Sequence, residues 1–141
     1  MLVLAIVALL VPLGLSLRDR VDSEVRLQAR SEAQVVAASA SLAVDPPQRV
    51  ALTRLARQAA QATRGRVIIV GPTGVVLADS GGTSTLGSSY ASRPEVRDAL
   101  TGDIVQRRRG SRTLGEDILV TAVPIAARGH VGGAVRVTQS V

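Results

Sequence analysis

Residues Arg66 to Gly102, RVIIVGPTGVVLADSGGTSTLGSSYASRPEVRDALTG, read as strand, turn, strand, long polar loop and short helix. Val67 to Val70 is continuously apolar, Gly71-Pro72-Thr73-Gly74 interrupts it, and Val75 to Ala78 is apolar again. Two short apolar runs about one turn predict a hairpin. Asp79 to Ser92 is then a loop rich in Gly, Ser and Thr, and loops of that length in compact domains are usually functional or mobile. Pro94 opens a short helix over Glu95 to Leu100, and Gly102 ends it. Nothing in the stretch supplies an obvious catalytic group, so it reads as a module that recognises something.

Downstream, Ile104 to Arg108 predicts a third strand with Gly110 in the turn after it, and Ile118 to Ile125 a fourth. A turn at Ala127-Arg128-Gly129-His130 leads to a fifth strand, Val131 to Thr138. There Val135 and Val137 alternate with Arg136 and Thr138, which predicts one buried face and one wet face. Short connections among the last three strands make the sheet antiparallel. The fold class is α+β, with long helices against one face and the loop and short helix over the other.

Upstream, Met1 to Leu17 is an apolar run without charge. At 1.5 Å per residue it reaches about 25 Å, just under a bilayer core of roughly 30 Å. A cleaved signal peptide needs a basic start and small residues before the cut. The uncharged start and Leu15-Ser16-Leu17-Arg18 favour a retained signal anchor instead. Arg18 and Arg20 follow the span, and taken alone they would put the domain in the cytoplasm. Arg18 to Val44 has no Gly or Pro and predicts a long juxtamembrane helix. Val21, Val25, Gln28, Glu32, Val35, Ser39 and Leu42 fall at alternating four and three spacings, a heptad-like seam interrupted by polar residues. The seam serves either packing on the domain's own sheet or pairing with a twin helix in a homodimer. Asp45-Pro46-Pro47 ends this helix. Gln48 to Thr63 is a second, with Val50, Leu52, Leu55, Ala56 and Ala59 on its apolar side and Gly65 suited to its C-terminal cap.

The bulk composition narrows the function. A chain of 141 residues with this apolar start holds about one domain, residues 45–141. It has no Phe or Trp and only Tyr90 as an aromatic, so Val, Leu, Ile and Ala build the core. Seventeen arginines, no lysine and eleven acids give a formal charge of +6. Phosphate neutralisation would suit that balance, but single-strand binders interleave stacking aromatics, and the chain lacks them. Without cysteine there is no disulfide framework or thiolate metal site, and no metal centre is expected. His130, the only histidine, belongs to a predicted exposed turn. Enzymes fail on inventory. There is no nucleophile elbow, no phosphate-cradling Gly loop, and Glu116 and Asp117 would point to opposite faces of a strand.

Taken in order, GPTGVVLADS, SSYASRPEVRDALTG and RGSRTLGEDILVTAVPIAARGHVGGAVRVTQS resemble the extracytoplasmic sensing domain of bacterial two-component sensor histidine kinases. The type is Cache or PAS-like, related to domains of phosphate-response and cell-wall-response kinases. The most specific pieces are Leu77-Ala78-Asp79-Ser80, Arg93-Pro94-Glu95 with Ala99-Leu100 and Gly102, and Gly132-Gly133-Ala134-Val135-Arg136-Val137. The resemblance implies a five-stranded antiparallel sheet with a long N-terminal helix behind it. It also implies a position outside the membrane, outweighing Arg18 and Arg20. The segment to Val141 carries no second membrane helix, phosphoacceptor helix or ATP-binding domain. ATP and Mg are therefore expected only in a kinase core beyond these residues, with a response regulator as partner of the full-length parent. Chemoreceptors and membrane-tethered binding proteins are the alternative settings.

Ligands of related domains sit between the sheet and the overlying loop and short helix, which makes Tyr90 and Arg93 positional candidates, with Asp79 and Ser80. A small molecule, an ion or a protein is the expected stimulus. Arg93 suits a carboxylate or phosphate, which a guanidinium holds through two parallel bonds; alternatively it pairs with Asp79 or another acid and fixes the loop. Asp79 and Ser80 equally suit turn closure by bonding nearby backbone groups. Arg107, Arg108 and Arg109, with Arg112, form the densest basic cluster. Strand alternation sends Arg107 and Arg109 to one face and Arg108 to the other, so an exposed, charge-protected edge is expected. Anionic lipid contact is the second use of such a cluster.

Overall fold

The computed structural model describes residues 23–110 and 117–140. The apolar run Met1 to Leu17, Val21 and Arg112 lie outside them. Among the described residues no helix is long and apolar enough to cross a membrane.

Helix α1 occupies described residues 23–40 and shows two unlike stripes. Ala29, Ala33, Val36, Ala37 and Ala40 are buried. Small side chains at that spacing let the helix lie close on its neighbours. The heptad-like seam is a different stripe and faces away: Val25 is exposed, Val35 is 63% exposed and Leu42 85%. The helix packs on its own domain, but not through the seam.

Helix α1 stops at residue 40, short of the expected Val44. Residues 41–43 turn, Val44 is buried and bridges to Pro47, and the Asp45–Pro46 bond is cis. Leaving the helix early is what carries the Val44 side chain into the core. Helix α2, Arg49–Thr63, buries Leu52, Ala56 and Ala59 with Leu55 partly covered. Val50, expected on that side, is exposed. The left-handed residue at its end is Arg64 (φ 53°), not Gly65, whose N–H bonds the Ala60 carbonyl.

Five strands follow, all antiparallel, in the order β2-β1-β5-β4-β3. They are β1 Arg66–Val70, β2 Val76–Asp79, β3 Val105–Gly110, β4 Asp117–Ala127 and β5 His130–Ser140. Asp79 and Gly110 thus close strands instead of sitting in the loop and turn expected for them. Arg128 (φ 49°) and Gly129 (φ 79°) join β4 to β5, the paired left-handed geometry that a twisted two-residue hairpin requires. On the central strand, Gly133 is compelled by closeness: a Cβ there would collide with the Val70 carbonyl oxygen of β1.

Helices α1 and α2 cover one face over a core that includes Val67, Ile69, Val123, Ile125, Val135 and Val137. Helix α3, Pro94–Leu100, covers the other over Ile68, Val70, Val76, Ala122 and Ala134, joined by Tyr90, Val96 and Ala99. The roof expected over this face is present, so the β5 residues expected to be wet are covered: Arg136 lies under it with a side chain 11% exposed.

Candidate functional site

The loop between β2 and α3 is fixed at its start by Asp79. Its carboxylate accepts bonds from Arg66 Nε at 2.9 Å, from the Gly81 N–H at 2.8 Å, from a second Arg66 nitrogen and from the Thr85 hydroxyl. Burial alone would raise the Asp79 pKa; these bonds and the Arg66 charge outweigh it and lower it to about 2. Ser80 Oγ accepts the Val67 N–H at 2.9 Å, and the Ser80 N–H returns a bond to the Val67 carbonyl. Asp79 and Ser80 thus close the β1–β2 hairpin and anchor the loop. The acid that Arg93 was expected to reach is already held by Arg66.

At the far end of the loop Tyr90 is buried against β1, β2 and α3. Its backbone N–H bonds the Gly74 carbonyl and its carbonyl accepts the Arg93 N–H. Arg93 doubles back, so that its guanidinium carbon lies 4.3 Å from the Tyr90 ring centroid, with that of Arg136 at 6.0 Å. Cations over an aromatic face gain about 0.5–1 kcal/mol where water reaches them. Tyr90 is the common neighbour of Arg93 and Arg136.

Glu95 belongs to the run Arg93-Pro94-Glu95, which by itself announces no role for it. It is 0% exposed, and its two oxygens point to different strands: Oε1 accepts Arg136 Nε of β5 at 3.0 Å, and Oε2 accepts Arg109 Nη2 of β3 at 2.9 Å. Burial opposes its ionisation, yet a bond from its own backbone N–H and the two arginines hold its pKa below the ordinary glutamate value. Burial lowers the Arg136 pKa despite the Glu95 partner, and Arg93 adds repulsion. The signal available in sequence was the alternation of β5, which puts Arg136 on the face of Ala134, beneath the helix that carries Glu95.

Of the basic cluster, Arg107 pairs with Asp98 of α3 at 3.4 Å and Arg109 with Glu95, while Arg108 lies 3.5 Å from Asp117 of β4. The alternation holds, on a strand that is an edge of the sheet. Arg66, Arg93, Arg107, Arg109 and Arg136 lie on this face with Asp79, Glu95 and Asp98, and Arg97 of α3 also approaches Asp98 at 4.0 Å. Among the described residues Arg93 has the Tyr90 ring and no carboxylate as partner. Open grooves lie on the opposite layer, one of about 320 Å³ between α1 and α2 lined by Val35, Val36, Leu55 and Ala59. No group of three or more metal-ligating side chains occurs among the described residues.

A five-stranded antiparallel sheet with helices α1 and α2 behind it, and a loop and short helix over its front face, has the architecture of Cache/PAS-like domains. No protein-family profile and no curated protein matches the chain. Solved structures do. The sensor domain of the V. cholerae histidine kinase DctB is similar with a TM-score of 0.66 and 19% identity, over 86% of this chain and 52% of that one. The ligand-binding domain of the Campylobacter jejuni chemoreceptor Tlp3, in complex with 4-methylisoleucine, gives a TM-score of 0.65 at 14% identity over 84% and 52%. That of the Pseudomonas aeruginosa amino acid chemoreceptor PctC, in complex with GABA, gives 0.64 at 16% over 87% and 60%. The chain spans about half the length of the first structures it matches.

Proposed function

We propose that this chain is the extracytoplasmic stimulus-sensing part of a membrane-bound receptor, and that a small molecule bearing a carboxylate is held between the sheet and the roof formed by the loop and α3. The observation that carries this reading is Arg93, which lies over Tyr90 beside the roofed Arg136 and, among the described residues, has no carboxylate partner. A guanidinium without an acid partner at the edge of a covered site is a ready donor pair for a ligand carboxylate. The parent is a two-component sensor histidine kinase, anchored by the apolar run Met1 to Leu17, with ATP and Mg in its kinase core and a response regulator downstream. DctB as a structural neighbour supports this output. The chemoreceptor neighbours favour a second reading, in which the same module heads a chemoreceptor.

The receptor works as a homodimer through the outward residues Val25 and Val35 of α1 and Leu42 of the turn that follows it. A stimulus acts by favouring one of two packings of the sheet on α1, which requires unequal binding to the two. Calorimetric titration of the full chain with L-isoleucine, L-valine and GABA tests the site. Saturable binding lost in Arg93→Ala supports it, and binding unchanged by that substitution moves the ligand elsewhere.

A further inference from the structure

Glu95 is a carboxylate already seated on Arg136, and its second oxygen has a partner of its own on another strand. We propose that Glu95 is the built-in competitor of this site: a ligand carboxylate takes Arg136 from Oε1, Glu95 stays paired with Arg109 through Oε2, and α3 is released from β5 while held to β3. The inference rests on the reading that a ligand carboxylate reaches Arg93 and Arg136.

Three features carry it. The exchange is like for like, one carboxylate for another on the same guanidinium, so Arg136 is never left as a buried unpaired charge. The exchange also leaves Glu95 charged and paired, because Arg109 holds the other oxygen and is itself only half covered. Finally, the local surplus is positive: Arg109 and Arg136 share the single Glu95 carboxylate, and Arg93, on the Tyr90 ring that Arg136 also approaches, repels Arg136. A second anion therefore enters a site that is short of negative charge. Asp98 keeps α3 on β3 through Arg107, so both of the helix's remaining ionic ties lead to the edge strand. Occupancy of Arg136 thus sets whether the roof is tied to the central strand or to the edge alone.

The test is an NMR titration of arginine Nε–H resonances in the full chain with sodium acetate, against sodium chloride at equal ionic strength, for the wild type and Glu95→Gln. Glutamine keeps the shape and one acceptor oxygen but removes the competing charge. The expected result is an acetate-specific shift of Arg136 in both chains, with the midpoint about tenfold lower in E95Q. Equal midpoints, or a response confined to Arg93, overturn the competitor role and leave the Arg93 reading intact. No arginine responding in either chain removes both. Should E95Q fail to fold, the wild type decides: saturating acetate moves the Arg136 resonance, or the proposal is wrong.

Discussion

Arg66 of β1 and Asp79 of β2 form a fork-to-fork pair in which the acid side chain is 1% exposed while the base remains 45% exposed. Because the folded Asp79 pKa is lowered to about 2, below the roughly 3.9 of an unfolded chain, the pair stabilises the fold fully above that unfolded value. The contribution is lost as pH falls from about 4 towards about 2. Water around the half-exposed Arg66 screens the pair, so about 1–2 kcal/mol is expected. Urea unfolding at pH 6 and pH 2.5 should show Asp79→Asn weaker than wild type at the higher pH and closer to it at the lower. A difference that does not narrow with acid would refute the assignment.

Stability and binding should separate at the Tyr90–Arg93 contact. Tyr90 is a buried member of the α3-side core, so Tyr90→Ala should cost about 3 kcal/mol and Tyr90→Phe well under half of that. Arg93 is exposed and rests on the ring alone, so Arg93→Ala should cost about 1 kcal/mol or less. Thermal melts check the stability order, and titration with carboxylate ligands checks that Arg93→Ala is the substitution that abolishes binding. An Arg93→Ala chain that melts like Tyr90→Ala would make Arg93 a structural residue.

Gly133 should be among the least replaceable positions. Gly133→Ala sets a methyl group against the Val70 carbonyl and near Val44, where backbone, not a flexible side chain, would have to yield. A loss of about 3 kcal/mol or more is expected. By contrast Gly129→Ala meets open space and only a left-handed φ, for about 1 kcal/mol. Comparable melting temperatures for the two would contradict the described approach of β1 and β5.

The two stripes of α1 should answer differently to the same change. Val35→Asp lies on the exposed stripe and should shift stability by about 0.5 kcal/mol or less, while dissociating a dimer that uses it. Ala33→Asp buries a carboxylate in the helix-side core and should unfold the domain. Sedimentation velocity with parallel melts distinguishes them. A Val35→Asp chain that still sediments as a dimer puts the interface elsewhere.

Most of the architecture was legible because the signals were local. The apolar runs on either side of Gly71-Pro72-Thr73-Gly74, the proline at α3 and the alternation of β5 each act within a few residues, and the strands and helices lie where those patterns put them. Boundaries failed where tertiary packing decided. Val44 leaves α1 to fill space beside Gly132 and Gly133, which nothing in the helix's own sequence announces. The site was half legible. Tyr90 and Arg93 could be named as candidates from the resemblance, and they do lie together, but partner choice could not be read. Arg66 takes Asp79, and Arg136 takes Glu95 from 41 residues away. Such pairings depend on which strands become neighbours. A roof over the Arg136 face was expected, but the wet face read from the alternation of β5 did not reckon with it, and the burial of Glu95 follows from the two together.

Strand β5 sits at the middle of the sheet, and its residues alternate between two populations that never meet. Val135 and Val137 belong to the helix side; Arg136, between them, belongs to the roofed side. The sheet is in this respect a diaphragm one chain thick. A tilt or slide of β5 that re-seats the guanidinium on one side moves both valines on the other by the same backbone displacement. No hinge, linker or detour around the sheet margin is needed for the two sides to share news. The shortest wire in the molecule is a single peptide unit.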